Sequence, residues 1–297
     1  MTAAVPTYLA GKDPAARRRS AVLPTVFMII VVIYCATPLL WLLVSATKSN
    51  DGLFNSFGFW FADDVQPGRN LHDLFAYKDG IFIRWMLNTL LYSAVSAGLA
   101  AIFATIAGYT FSLFTFKGKN LCYVLILGSI MVPTTALAIP TYALFTQVGI
   151  VDTPTAVILP SLLSPFGFFL IKVYADSSIS RSVVESARID GASELRIFVS
   201  IAFRILMPAF VTVLLFAIVT AWNNYFVPLV MLNTEKLYTV VVGLAQINAT
   251  ANAGGGAQPL FNLVTIGSLV AIVPPIIAFI LLQRYWESGL SSGSVNE

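Results

Sequence analysis

The sequence predicts an all-α integral membrane protein of six transmembrane helices, with both termini on the cytoplasmic side and a short charged helix between spans four and five. Three observations predict it. The 297-residue chain is 58% hydrophobic and only 10% charged, with a mean hydropathy of +0.83; soluble domains hold about 45–50% apolar and about 25% charged residues. The apolar residues gather into runs of about 20 or more, the length a helix needs to cross about 30 Å of hydrocarbon at about 1.5 Å per residue. The basic residues, finally, are segregated between alternate loops.

The runs follow in order. Residues 1–21 form a polar tail ending in Arg17-Arg18-Arg19. Val22 to Ala46 is charge-free and spans; it is longer than the apolar core of a signal peptide and lacks a small-residue cleavage site, so it is expected to stay as an anchor. Residues 47–84 form an outer loop rich in Asp, Gly and aromatics. The core, residues 85–284, holds the other five spans. Trp85 to Phe116 contains the second, and Lys117-Gly118-Lys119-Asn120 is a basic turn. Leu121 to Phe145 is the third, Thr155 to Ile171 the fourth, Ile205 to Leu232 the fifth and Leu260 to Leu282 the sixth. Between the fifth and sixth lies a second outer loop, 233–259, with the flexible run Ala253-Gly254-Gly255-Gly256. Residues 285–297 are a short tail.

With the N-terminus inside, twelve Lys and Arg fall on the cytoplasmic face (Lys12, Arg17, Arg18, Arg19, Lys117, Lys119, Lys172, Arg181, Arg188, Arg196, Arg204, Arg284) and five outside (Lys48, Arg69, Lys78, Arg84, Lys236). That bias sets the orientation. It places the charged island 176–204 in the cytoplasm.

Composition excludes several classes of function. A net charge of +3 offers nothing for nucleic acid. Cys35 and Cys122 sit inside apolar runs without metal-ligand spacing, and the single histidine, His72, stands in a polar loop. There is no phosphate-binding glycine loop and no nucleophile elbow. No catalytic residue or metal ligand is therefore expected in this chain. Prolines within spans, Pro133, Pro140, Pro208, Pro228 and Pro274-Pro275, remove backbone hydrogen bonds and kink helices. Such kinks belong either to ordinary membrane packing or to a pathway that opens and closes. The cluster Phe54, Phe57, Phe59, Trp60 and Phe61 reads as interfacial anchoring rather than ligand stacking.

Within the island, Ile179, Val183 and Ala187 fall at i, i+4 and i+8 of a helix, a narrow apolar stripe. Arg181–Glu185 and Glu185–Arg188 can pair on its other side. Ser182 with Glu185 fits a capping box, and Ser178 or Ser180 serves equally well as N-cap. Asp190-Gly191 ends the helix. Ser193 caps a second helix carrying Leu195, Phe198, Val199 and Ala202 into the fifth span. By pattern alone this is either a helix resting on lipid headgroups or a docking element.

The residue identities favour docking. Glu185-Ser186-Ala187-Arg188-Ile189-Asp190-Gly191-Ala192 resembles the Glu-Ala-Ala signature of the membrane subunits of bacterial ABC importers, with Gly191 and Ile201 at the expected spacing. Its wording is most similar to the carbohydrate branch, the relatives of the maltose permeases. Trp222-Asn223-Asn224-Tyr225-Phe226-Val227-Pro228-Leu229, Leu237 to Leu244, Gln283-Arg284-Tyr285 and Gly289 to Val295 resemble that branch in turn. Two positions depart from it. Ser186 replaces the second Ala, and Phe203-Arg204 replaces Leu-Pro, so the helix entering the membrane is expected to run straighter, with Pro208 one turn later.

The resemblance implies a permease subunit of the bacterial cytoplasmic membrane. It implies that the loop is a coupling helix seated in a cleft of an ATPase subunit. Glu185 would make the charged contact, Ala187 would allow close approach, and Gly191 would be the corner, within a coupling set of Glu185, Ser186, Ala187, Arg188, Asp190, Gly191 and Ala192. Gly289, Leu290 and Ser291 would also reach the ATPase pair, and the outer loop around Ala245–Pro259 would touch the solute-binding protein. The implied partners are a second related permease, two ATPase subunits, an extracytoplasmic binding protein and lipid. ATP and Mg would be held by the ATPase, and no cofactor by this chain.

Asn223 and Asn224 are polar groups in an apolar span, fit either for a substrate pathway or for helix–helix hydrogen bonding. No charge sits mid-span, which suits a neutral solute such as a sugar. The alternatives are import of another solute, or an ion-coupled secondary transporter; the latter calls for an intramembrane acid or an inverted repeat, and the sequence offers neither.

Overall fold

The computed structural model describes residues 14–252 and 260–291. Among them every named element is helical, and the β-type pairing is a single bridge, Lys48 to Val65. The helices are α1 (Pro14–Ser45), α2 (Asn50–Asn55), α3 (Pro67–Ala76), α4 (Ile81–Leu113), α5 (Lys119–Ser129), α6 (Thr134–Gln147), α7 (Pro154–Ile158), α8 (Pro165–Ser178), α9 (Arg181–Ile189), α10 (Glu194–Ile197), α11 (Phe203–Trp222), α12 (Phe226–Met231), α13 (Val240–Asn252) and α14 (Phe261–Ser291). Five helical stretches are long and apolar enough to cross a membrane, or six if α5 and α6, bent by 104° to one another, are one span.

α4 is the pillar of the bundle, and it joins three apolar clusters. Near its start, Phe82 and Trp85 pack with Leu74 of α3, Val240 and Ile247 of α13 and Leu263 of α14. Further on, Tyr92 packs with Phe145, Ala156 and Met231. Towards its end, Ala101, Ala104 and Tyr109 pack with Ile171 of α8 and with Val184, Ile197 and Leu206 of the α9–α11 arm. Small residues on α4 let α8 and α11 approach closely, as expected where lipid gives no hydrophobic drive between helices. α1 packs against α14, and its apolar residues from Val22 to Leu43 are largely exposed.

The spans differ from the sequence reading wherever a break falls inside a run. α1 begins at Pro14, inside the stretch read as a tail, because three consecutive arginines do not interrupt a helix. The third span is broken: Pro133 stands at the N-cap of α6, and the chain turns at Ile130–Pro133. The fourth divides at Leu163–Ser164, where Ser164 Oγ accepts from the Gly167 N–H and Pro165 starts α8. The fifth ends at Trp222 and resumes as α12.

Both outer loops are folded. In the first, buried Lys48 donates from Nζ to Ser56 Oγ (2.9 Å) and Phe57 O (2.8 Å), holding the aromatic segment back against the end of α1. Asn262 bonds both Asn50 and Asn70, tying the start of α14 to α2 and α3. In the second, read as an open loop, α13 is instead packed into the core. The strap before it lies along α4, where Trp85 Nε1 donates to Glu235 O (2.9 Å) and Asn88 Nδ2 to Lys236 O (2.9 Å) and Tyr238 O (3.0 Å). Thr89 Oγ1 then accepts the Val240 N–H at 2.7 Å, capping α13. Asp152 completes the attachment by accepting from the N–H groups of Asn233 and Thr234 and from Thr234 Oγ1. These bonds to the Thr234 hydroxyl and the backbone hold its carboxyl below the ordinary range. The flexible run at residues 253–256 lies outside the described residues.

Candidate coupling corner and membrane cavity

At one end of the bundle the chain leaves α8, forms α9, turns at Asp190–Gly191 and continues through α10 into α11. Ser180 is the N-cap of α9, and its hydroxyl lies 2.7 Å from that of Ser182 rather than on a backbone N–H. The buried side of α9 is Val184 and Ala187, with Ile179 just before it; Val183 points outward. The stripe runs at i, i+3: Val184 rather than Val183 joins Ala187 in the cluster that holds Tyr109 of α4 and Leu206 of α11. Glu185, Ser186, Arg188, Asp190 and Gly191 are exposed, Ala187 is buried and Ala192 is half-buried.

Gly191 has φ +79°, a left-handed conformation that costs other residues about 1 kcal/mol or more. The Ala192 N–H donates back to Ala187 O, closing the turn. Across this corner Arg188 Nε donates to Glu194 Oε1 at 2.6 Å and Nη2 to Oε2 at 3.2 Å, a bidentate pair. This replaces the expected pairs of Arg181 and Arg188 with Glu185: among the described residues Glu185 makes no salt bridge. The Arg188–Glu194 spacing of six residues is invisible to a helical template, since it exists only once Gly191 folds the two helices together.

Ser193 caps α10 as expected, Oγ accepting the Arg196 N–H. The entry to α11 is one continuous helical stretch from Glu194 to Trp222, with a local widening. Phe198–Ala202 form a wide π turn in which the Phe203 N–H donates to Phe198 O, immediately before the Phe203-Arg204 that stands in place of Leu-Pro. Ile189 (85% exposed) and Leu195 (73% exposed) leave large apolar side chains uncovered beside Glu185. The corner therefore presents a mixed apolar and charged surface.

The other feature is a cavity of ≈ 620 Å³ between α11, α13 and α14, with Trp222, Leu244, Ile272, Pro275 and Phe279 among its apolar walls and Asn223, Asn248 and Ser268 as its polar ones. Among its lining residues none is charged. It lies at the far end of α11 from α9, on the order of 30 Å away for 20 helical residues. Asn223 Nδ2 donates to Val219 O of its own helix at 2.9 Å and lines the cavity. Asn224 is not part of the lining; its Oδ1 accepts the Val227 N–H in the first turn of α12. The two asparagines thus mark the break in the fifth span: Asn223 bonds its own helix, and Asn224 bonds the first turn of α12 that follows it. Asn248 and Ser268 escaped the sequence reading because Asn248 was assigned to a loop and Ser268 is an isolated hydroxyl in an apolar run.

Residues 99–292 match the family of binding-protein-dependent transport system inner membrane components. The chain belongs to this family. Membership accounts for the apolar helices and places the protein in the inner membrane, and the matched region contains α9, the corner and all three cavity walls. The chain is 29% identical over 274 residues to the arabinooligosaccharides transport system permease AraQ of Bacillus subtilis, covering 91% of this chain and 94% of that one. It is 32% identical over 216 residues to AraQ of Halalkalibacterium halodurans, covering 73% and 75%. Its fold resembles that of a solved bacterial ABC transporter involved in the import of the acidic polysaccharide alginate, with a TM-score of 0.77 and 21% identity over 93% of this chain and 99% of that one. The family's C-terminal contact, carried over from the resemblance to Gly289, Leu290 and Ser291, falls on the last residues of α14; the rest of that segment lies outside the described residues.

Proposed function

We propose that this permease is one of two membrane subunits of an ATP-driven importer of a neutral sugar, an oligosaccharide or sugar derivative, and that α9 couples it to a partner ATPase. The observation that carries the reading is the corner: a short helix pinned at Gly191, offering Glu185 free of salt bridges beside exposed Ile189 and Leu195. An exposed apolar patch rimmed by charge is what a protein partner covers. α9 and the termini lie in the cytoplasm, as the basic-residue bias directs. Two ATPase subunits bind ATP and Mg, and their closure draws α9 of each permease inward while an extracytoplasmic binding protein delivers the solute. This chain breaks no bond itself.

The cavity supports the substrate class. Trp222 and Phe279 offer apolar faces, Asn223, Asn248 and Ser268 offer uncharged hydrogen-bonding groups, and no lining residue would neutralise an acid. The names of the relatives support a sugar. The test is reconstitution with the partner permease, the ATPase pair and the binding protein. ATP-dependent uptake of a neutral oligosaccharide, with little uptake of its uronic-acid counterpart, is expected. Uptake by this chain alone in ATP-free vesicles would overturn the reading.

A further inference from the structure

Three buried side-chain oxygens among the described residues have no hydrogen-bond partner: those of Ser93, Tyr109 and Thr239. Tyr109 is the one at the coupling end. It sits near the end of α4, 4% exposed, inside the cluster formed with Val184, Ala187 and Ile197. A buried hydroxyl left without a partner costs about 1–3 kcal/mol, and a phenylalanine at this position would not carry that cost. The ring alone thus does not account for a tyrosine.

The surroundings indicate what the hydroxyl is for. Tyr109 is the second of five rings in a chain that starts at the corner and ends in the fifth span. The Arg188 guanidinium lies over Phe114 at 5.7 Å. Phe114 meets Tyr109 at 5.9 Å, Tyr109 meets Phe198 at 5.0 Å, Phe198 meets Phe203 at 6.2 Å and Phe203 meets Phe210 at 5.2 Å. Phe198 and Phe203 bracket the π turn, a backbone feature enriched at functional sites. The carboxylate of Glu194, clamped by Arg188 across the corner, uses one oxygen for each guanidinium bond and can still accept further hydrogen bonds.

We infer that Tyr109 is a positioning residue for coupling: its hydroxyl, unpartnered in this conformation, donates to the Glu194 carboxylate when the corner swings against α4 during the transport cycle. The bond is made in one state and missing in the other, so it biases the equilibrium between them. The rings carry the corner's displacement into α11 as packed surfaces, and the hydroxyl decides which arrangement is favoured. This inference rests on the coupling role given to α9 above.

The test is Tyr109→Phe in the whole transporter, reconstituted with both permeases, the ATPase pair and the binding protein. Because the hydroxyl bonds nothing in the present state, its removal leaves the melting temperature unchanged or raised. Unstimulated ATP hydrolysis is likewise unchanged, whereas substrate-stimulated hydrolysis and uptake fall together by about tenfold, the population shift of one hydrogen bond worth about 1.4 kcal/mol. Wild-type stimulation would overturn the inference, and so would a loss accompanied by a lowered melting temperature, which marks a merely structural side chain. Glu185→Lys, measured alongside, separates the two claims. If it abolishes stimulation while Tyr109→Phe is inert, the role of Tyr109 fails and α9 coupling stands; if Glu185→Lys is itself without effect, coupling through α9 fails and the role of Tyr109 with it.

Discussion

Replacing Glu185 by lysine is expected to abolish substrate-stimulated ATP hydrolysis and uptake while leaving the permease folded and inserted. The side chain is exposed and makes no salt bridge, and it lies on the side of α9 away from Val184 and Ala187. Nothing inside the subunit is lost when its charge is reversed, and surface changes of this kind alter stability by about 0.5 kcal/mol or less. At the interface the effect is different. A carboxylate enclosed by a partner loses water and gains a charged or N–H partner, and reversal sets like charges against each other, a penalty of several kcal/mol. At about 1.4 kcal/mol for each factor of ten, that is a loss of about a hundredfold or more. Hydrolysis and uptake assays on the assembled transporter check it; near-normal stimulation in Glu185→Lys contradicts the coupling role.

The second large effect is expected at Gly243, far from the corner. Gly243 on α13 faces Trp85 on α4 so closely that a Cβ would fall within the indole ring. Trp85 cannot yield readily: it is fully buried, and its Nε1 is held by Glu235 O. Gly243→Leu must therefore displace α13 and, with it, the cavity wall carrying Leu244 and Asn248. Overpacking of this kind costs about 1–3 kcal/mol, occasionally more. The expected outcome is a melting temperature lowered by several degrees in detergent, together with loss of uptake. Gly243→Leu combined with Trp85→Ala should recover part of the melting temperature, because the second change opens the space the first requires. A wild-type melting temperature for Gly243→Leu contradicts this packing.

What was legible in the sequence was what local rules determine. Lipid thickness fixes the length of Val22 to Ala46, and the same arithmetic found the other apolar runs. The short helix ending at Gly191 and the Ser193 cap followed from periodicity and turn chemistry. What was missed depends on contacts between distant residues. The glycine run at 253–256 makes 233–259 look like a loop, whereas Trp85, Asn88 and Thr89 of α4, about 150 residues earlier, hold α13 and the strap before it against the core. Pro133 in the third run points to a kink, but the size of the turn, 104°, is set beyond the run, where α6 packs on α12. The Val183 stripe slipped by one residue because three serines could each start α9, and the frame was settled by the packing of Val184. The π turn before Phe203 has no local signature in the sequence.

Docking of α9 in the ATPase is the step on which the proposed coupling depends. It is tested most directly by placing a photo-crosslinker on Ser186→Cys, after Cys35 and Cys122 are replaced by serine, and irradiating the complete transporter in vesicles. An adduct between this chain and the ATPase subunit is expected, with a yield that changes when ATP is added. Adducts confined to lipid in a transporter that remains active would contradict it.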